Sequence, residues 1–100
     1  MSETLSKESS ARSGRIRIDD RPKHLATRLE RGEIAVINVA DLDRESAAAL
    51  VAAGPVAVLN AQPSLTGRAA ALGPRLVLGA GIVLVDDLGQ DIMSLREGQE

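Results

Sequence analysis

The chain reads as a small α/β domain with a mostly parallel sheet and flanking helices. Three observations carry that reading. Short apolar runs rich in Val, Ile and Leu recur at 33–39, 56–60, 75–78 and 82–86. Between them lie stretches with helical spacing and an acidic or hydroxyl residue at the start. Gly and Pro punctuate the segments. Continuous apolar runs of strand length fit strands covered on both faces. Strands that alternate with helices make an α/β fold.

Residues 1–14 are rich in Ser, Glu and Lys, with almost no apolar side chains. They cannot bury enough surface to fold, so a disordered tail is expected. Residues 15–31 form a basic arm. Within it "RIRIDD" alternates and suits a short edge strand. Pro22 suits N1 of a helix, with Asp20 or Arg21 before it. "KHLATRLERG" then places Leu25 and Leu29 at i, i+4, and Gly32 suits the C′ position.

Residues 32–100 make a single α/β domain. "EIAVINVA" is its first strand. "DLDRESAAALVAAGP" follows as a helix, capped by Asp41 or Asp43, with Ala47, Leu50 and Val51 at helical spacing and Gly54-Pro55 as the stop. "VAVLN" is the next strand. After a polar loop, "RAAAL" reads as a short helix closed by Gly73-Pro74, and "RLVL" as a third strand. Gly79 and Gly81 lead into "IVLVDD", the fourth, and Asp87-Leu88-Gly89 turns the chain. "DIMSLREG" reads as a last helix, with Asp91 as cap and Gly98 as C′. Val36, Ile37, Val58, Leu59, Leu76 and Val83 are the expected core. Right-handed crossovers would pack the helices on the sheet. The end "LREGQE" echoes the first half of "LERGEIAVI". A strand is expected where residue 100 stops, so the chain reads as the N-terminal part of a longer protein.

Composition narrows the function. The chain has no Phe, Trp or Tyr, so the aromatic platforms on which single-stranded nucleic acid stacks are missing. It has no Cys, which removes disulfides, thiolate metal sites and Cys nucleophiles. This suits a cytoplasmic location. No apolar run reaches the roughly 18 residues of a membrane span. The N-terminus has no apolar signal segment. Residues 1–31 carry eight Lys and Arg against five Asp and Glu, and residues 32–100 carry four against nine. An acidic body argues against a nucleic-acid partner, since phosphate neutralisation drives that affinity.

The loop "NAQPSLTGRAAAL" holds the clearest candidate site. Asn60 opens it, Ser64 or Thr66 can cap the helix, Gly67 allows close backbone approach, and Arg68 can grip an oxyanion. It lacks the Lys and Gly spacing of a Walker loop and of GxGxxG. A capped helix on a tight corner also explains it. Asp86 and Asp87 end the fourth strand, where α/β ligand sites gather. Turn chemistry explains Asp87 as well. Asp41 and Asp43 have the spacing of a carboxylate pair for Mg²⁺, and helix capping accounts for both. His24 is the lone His, in an exposed basic helix, with no partner near it in sequence. No catalytic set and no metal ligand set is complete in this chain.

"ADLDR", "VLNAQPSLTGR", "LGP" and "GIVLVDDLG", within 31–98, resemble the N-terminal domain of the actinobacterial SteA-like proteins. These are described as cytokinetic ring proteins and as thiamin pyrophosphokinase-like. The resemblance implies a swivelling β/β/α-like domain. It implies a following kinase-like catalytic domain, where ATP and Mg would belong, and a C-terminal region that associates with the membrane. Its partners would be the other domains of the parent protein and a division protein at the division site. In similar swivelling domains a loop before a helix carries a phosphorylated His. "PSLTGR" stands in that place without one. Two functions follow as expectations: a non-catalytic regulatory or interaction domain of a SteA-like division protein, or a phosphate- or nucleotide-binding accessory domain of a thiamin pyrophosphokinase-like enzyme. The chain itself is not expected to be an enzyme.

Overall fold

A computed structural model describes residues 14–66 and 72–99. Four strands run in the order β1 (Ile16–Ile18), β2 (Ile34–Ile37), β3 (Ala57–Asn60) and β4 (Val83–Val85). Every neighbouring pair is parallel. Helices α1 (Pro22–Ala26), α2 (Arg44–Ala53) and α3 (Gly73–Gly79) connect them in turn. The α/β fold expected from the alternation is therefore present, with an all-parallel sheet.

The strand order decides where the helices go. Each crossover advances to the next strand in the same direction, so all three helices lie on one face. They form a single layer in which α2 packs between α1 and α3. Leu25, Leu29, Ala47, Leu50 and Val77 meet Ala35, Ile37 and Val58 from the sheet in one buried cluster. The alternate residues face the other way. Ile16, Ile34, Ala57 and Val83 share one register row, and Ile18, Val36, Leu59 and Val85 the next. That second face is also wholly apolar. Val36 at its centre is fully buried although it lies outside the helix-side cluster. The C-terminal segment supplies its cover. A 3₁₀ turn, Gln90–Ser94, lies against β2, and the chain then reaches the far edge of β1, where Gly98 and Gln99 bond to Ile16.

Local chemistry explains the elements. Pro22 opens α1 as expected. Asp43, and not Asp41, caps α2: its carboxylate accepts the Ser46 N–H at 3.3 Å. Gly54 ends that helix in the left-handed region, φ 78°.

Three expectations are corrected. The run 75–78 is helix, not strand: it belongs to α3. Pro74 at the first helical turn loses no intrahelical bond and has a helical φ already set, so it starts this helix and does not stop one. Leu76 consequently leaves the core and is 37% exposed, whereas Val36, Ile37 and Val58 are fully buried and Leu59 and Val83 partly so. The last segment is no α-helix beyond its 3₁₀ turn, and Asp91 does not cap it. Leu95 is already extended, because the chain must span the sheet to reach β1. Finally, α1 stops at Ala26, capped by Thr27, so Gly32 does not close it. Gly32 takes φ 87° in the turn before β2, and its N–H donates to the Gly54 carbonyl. The tail 1–13 and most of the short helix expected at "RAAAL" lie outside the described residues.

Candidate functional site

The loops that leave the C-terminal ends of a parallel sheet gather at one end of it, where α/β sites form. Asn60, Ser64 and Asp86 meet there. Asn60 ends β3 fully buried. Its Oδ1 accepts the Val39 N–H at 3.0 Å and the Gln62 N–H at 3.2 Å. Its Nδ2 donates to the Val39 carbonyl at 2.8 Å and to Ser64 Oγ at 2.7 Å. Every donor and acceptor of the amide is in use. Ser64, also fully buried, donates its hydroxyl to Asp86 Oδ1 at 2.5 Å, and its backbone N–H donates to Asp86 Oδ2 at 2.9 Å.

Thr66 has the same pattern with a different acid. Its N–H and hydroxyl donate to the two carboxylate oxygens of Asp41, at 2.8 and 2.7 Å. Asp41 sits at φ 54° to make this reach, and its own N–H donates to the Pro63 carbonyl. Leu42 N–H donates to the Ser64 carbonyl, so the β2–α2 and β3–α3 loops are laced together. Asp87 is exposed at φ 56° in the segment after β4, with its N–H donated to the Gln62 carbonyl. Gly67 and Arg68 lie outside the described residues.

This geometry limits the chemistry. A phosphate loop offers unspent N–H groups to an anion. Here the N–H and hydroxyl of Ser64 and of Thr66 are already held by the chain's own carboxylates. Ser64 has an acid and an amide beside it but no imidazole, so the triad logic of an activated hydroxyl is unmet among the described residues. Compared with models of protein families, with curated proteins and with solved structures, the chain matches none.

Two features of this end of the sheet escaped the sequence reading. Asn38, Gln62 and Gln90 form an amide cluster: Gln62 Nε2 and Gln90 Nε2 both donate to Asn38 Oδ1, at 2.7 and 3.0 Å, and Asn38 Nδ2 donates to Gln90 Oε1 at 2.9 Å. It ties the C-terminal segment to β2. Second, His24 does have a partner: its Nδ1 is hydrogen-bonded to Asp19 Oδ2. Both lie near an open groove of about 540 Å³ lined in part by His24, Val39 and Ser46. Burial alone would raise the Asp19 carboxyl, but the bonds from His24 and from the Arg21 N–H outweigh it and hold it below the usual carboxylate range. The spacing Asp19 to His24, across the start of α1, is a signal that only the turn geometry makes readable. Asp43 is likewise held low, first by its bond with the Ser46 hydroxyl, against the opposing effect of burial. No group of three His, Cys, Asp or Glu that could hold a metal occurs among the described residues. No helix among them is long and apolar enough to cross a membrane.

Proposed function

We propose that this chain is a non-catalytic regulatory or interaction domain, of the kind that the SteA-like resemblance implies for an actinobacterial division protein. One observation carries the reading. Among the described residues of the candidate loop, the N–H and hydroxyl donors of Ser64 and Thr66 are occupied by Asp86 and Asp41, so a phosphate bound by them would have to displace a carboxylate and then face it. The polar residues at the sheet's C-terminal end therefore act as braces between loops. What this region offers a partner is shape and apolar surface: Leu65, Leu72 and Leu88 are all exposed.

Ligand-dependent melting tests this. A ligand that binds the native state raises apparent stability by RT ln(1 + [L]/Kd). The chain should melt at the same temperature with and without millimolar inorganic phosphate, Mg·ATP or thiamin. A dose-dependent rise with any of them would replace this reading by the accessory-domain one, in which the loop holds a phosphorylated nucleotide.

A further inference from the structure

The two edges of the sheet are treated differently. Parallel register turns the N–H and C=O of Ile16 and Ile18 away from β2. All four groups find partners. Ile16 N–H donates to the Gln99 carbonyl at 2.9 Å, and the Ile16 carbonyl accepts the Gly98 N–H at 2.8 Å. Ile18 N–H reaches Glu97 Oε2 at 3.4 Å, and the Ile18 carbonyl accepts Arg28 Nη2 at 2.7 Å. On the opposite edge Val83 N–H bonds inward, to the Val56 carbonyl, so Leu84 turns its N–H and C=O outward. No bond to another part of the chain covers them among the described residues. Natural sheets blunt a bare edge with charge, Pro or a cover. Here the run 76–85 contains no charged or polar side chain at all. Exposed apolar side chains lie at the same edge: Leu78 on α3 is 58% exposed, and Val85 at the end of β4 is 36% exposed.

We propose that the outer edge of β4 is a self-association site, through which two copies of this chain pair antiparallel into one continuous sheet. The inference rests on the reading of the chain as an interaction domain and names its partner. Three points select a second copy. First, a two-fold axis normal to the sheet reverses strand direction, so a closed homodimer through an edge must be antiparallel. Second, an outward-facing residue at the centre of a three-residue strand is self-complementary under that axis. Leu84 exchanges both backbone bonds with Leu84 of the second copy, the hydrogen-bonded pair of an antiparallel ladder. Third, the charges agree with this direction alone. Asp86 and Asp87 end β4, and antiparallel pairing sets them opposite the uncharged Ile82 and Gly81 of the other copy, whereas parallel pairing would oppose four acids. The same axis keeps both helical layers on one face, so the two α3 helices become neighbours and Leu78 is covered.

Sedimentation of the whole chain over a wide concentration range tests this, with amide exchange measured in parallel. A monomer–dimer equilibrium is expected, and exchange at the Leu84 N–H should slow as concentration rises. Leu78→Lys should raise the dimer dissociation constant at least about tenfold while the dilute chain melts unchanged. Leu84→Pro deletes the outward N–H and should weaken the dimer as well, with some loss of stability because the Leu84 side chain packs against the helix-side core. Should Leu84→Pro fail to fold, Leu78→Lys alone decides. A monomer at every concentration, a dimer indifferent to Leu78→Lys, or Leu84 exchange independent of concentration would overturn the proposal. None of these outcomes bears on ligand-dependent melting, so the interaction reading and this partner fail separately.

Discussion

The β1 and β4 edges of one small sheet show two ways to end it. At β1 the chain closes its own edge with the backbone of Gly98 and Gln99 and with the Arg28–Glu97 pair, whose Nη1 lies 2.7 and 2.8 Å from the two carboxylate oxygens. At β4 no such bond occurs among the described residues, and Leu78 of the flanking helix is left exposed. Composition differs in step. The β1 side is charged, with Arg15, Arg17, Arg28 and Glu33 in or beside it, and Arg17 Nε pairs with Glu33 Oε2 at 2.9 Å. The lesson is that an unprotected edge is a property of the tertiary structure. The groups that close β1, from Arg28 and from Glu97 to Gln99, meet it only in the folded chain.

Between the edges the core should be the least forgiving region. Val58 is fully buried on the helix side of β3, between Ala35 and Leu84 in register. Val58→Asp buries a charge with no partner and should cost about 4 kcal/mol or more, enough to unfold much of so small a domain. Chemical denaturation checks it, and a midpoint near that of wild type would show that the strand is not packed as described. Asn60 comes next. Asn60→Ala would leave the Val39 N–H and carbonyl unpaired, and Ser64 without its amide neighbour. A loss of about 2 kcal/mol is expected, since an orphaned buried group costs its full desolvation. Asn60→Asp should recover part of that at the Val39 N–H but not at the Val39 carbonyl, a difference that equilibrium unfolding can resolve.

The alternation of strand and helix, an acidic cap at Asp41 or Asp43, the Gly54 stop and the Pro22 start could all be seen in the sequence, and the structure selects Asp43. The 75–78 run could not be assigned this way. Four apolar residues have too short a period to separate strand from buried helix, and Pro74 is compatible with ending one element or starting the next. Asn60, Ser64, Asp86 and Asp87 could be placed at strand ends from their positions alone. Their partners could not, since Ser64 and Asp86 are 22 residues apart and meet only once β3 and β4 are side by side. The role of the C-terminal segment was hidden for the same reason. Its strap geometry follows from a contact with β1, at the far end of the sequence.

Acid should act on the closed edge and its surroundings before the bare one. Glu97 is held below the usual carboxylate range, first by the bond from Arg28, against the effect of burial. Glu33 is also held low. Burial there pushes upward, and the Glu30 N–H and Arg17 outweigh it. A carboxyl whose folded-state pKa is depressed contributes stability that is fully present above its unfolded value. That stability is lost as pH falls through the folded value. Stability should therefore hold at neutral pH and decline below about pH 4, the ordinary carboxylate range. Amide exchange at Ile16 and Ile18 should quicken, relative to intrinsic rates, earlier in the descent than exchange in β3. Uniform loss of protection across the sheet would show that the β1 edge has no separate acid response.

The smallest expected effect is the most direct probe of the contrast. Glu97 is partly exposed, and its pairing with Arg28 is a surface ion pair. Such pairs contribute at most about 1 kcal/mol. Glu97→Ala should thus move the unfolding midpoint only slightly. Locally it removes the acceptor of the Ile18 N–H and frees Arg28 from the strap, although Arg28 can keep its bond to the Ile18 carbonyl. The β1 edge then resembles the β4 edge in having an outward N–H open to solvent. Exchange at Ile18 should rise several-fold, roughly as a lost charge-assisted bond allows, while Leu84 is unaffected. Arg28→Ala should expose the Ile18 carbonyl and loosen Glu97 from the other side, with the same signature at Ile18. If both variants leave Ile18 exchange at its wild-type rate, the side-chain clasp is dispensable. Closure of that edge then belongs to Gly98 and Gln99 alone.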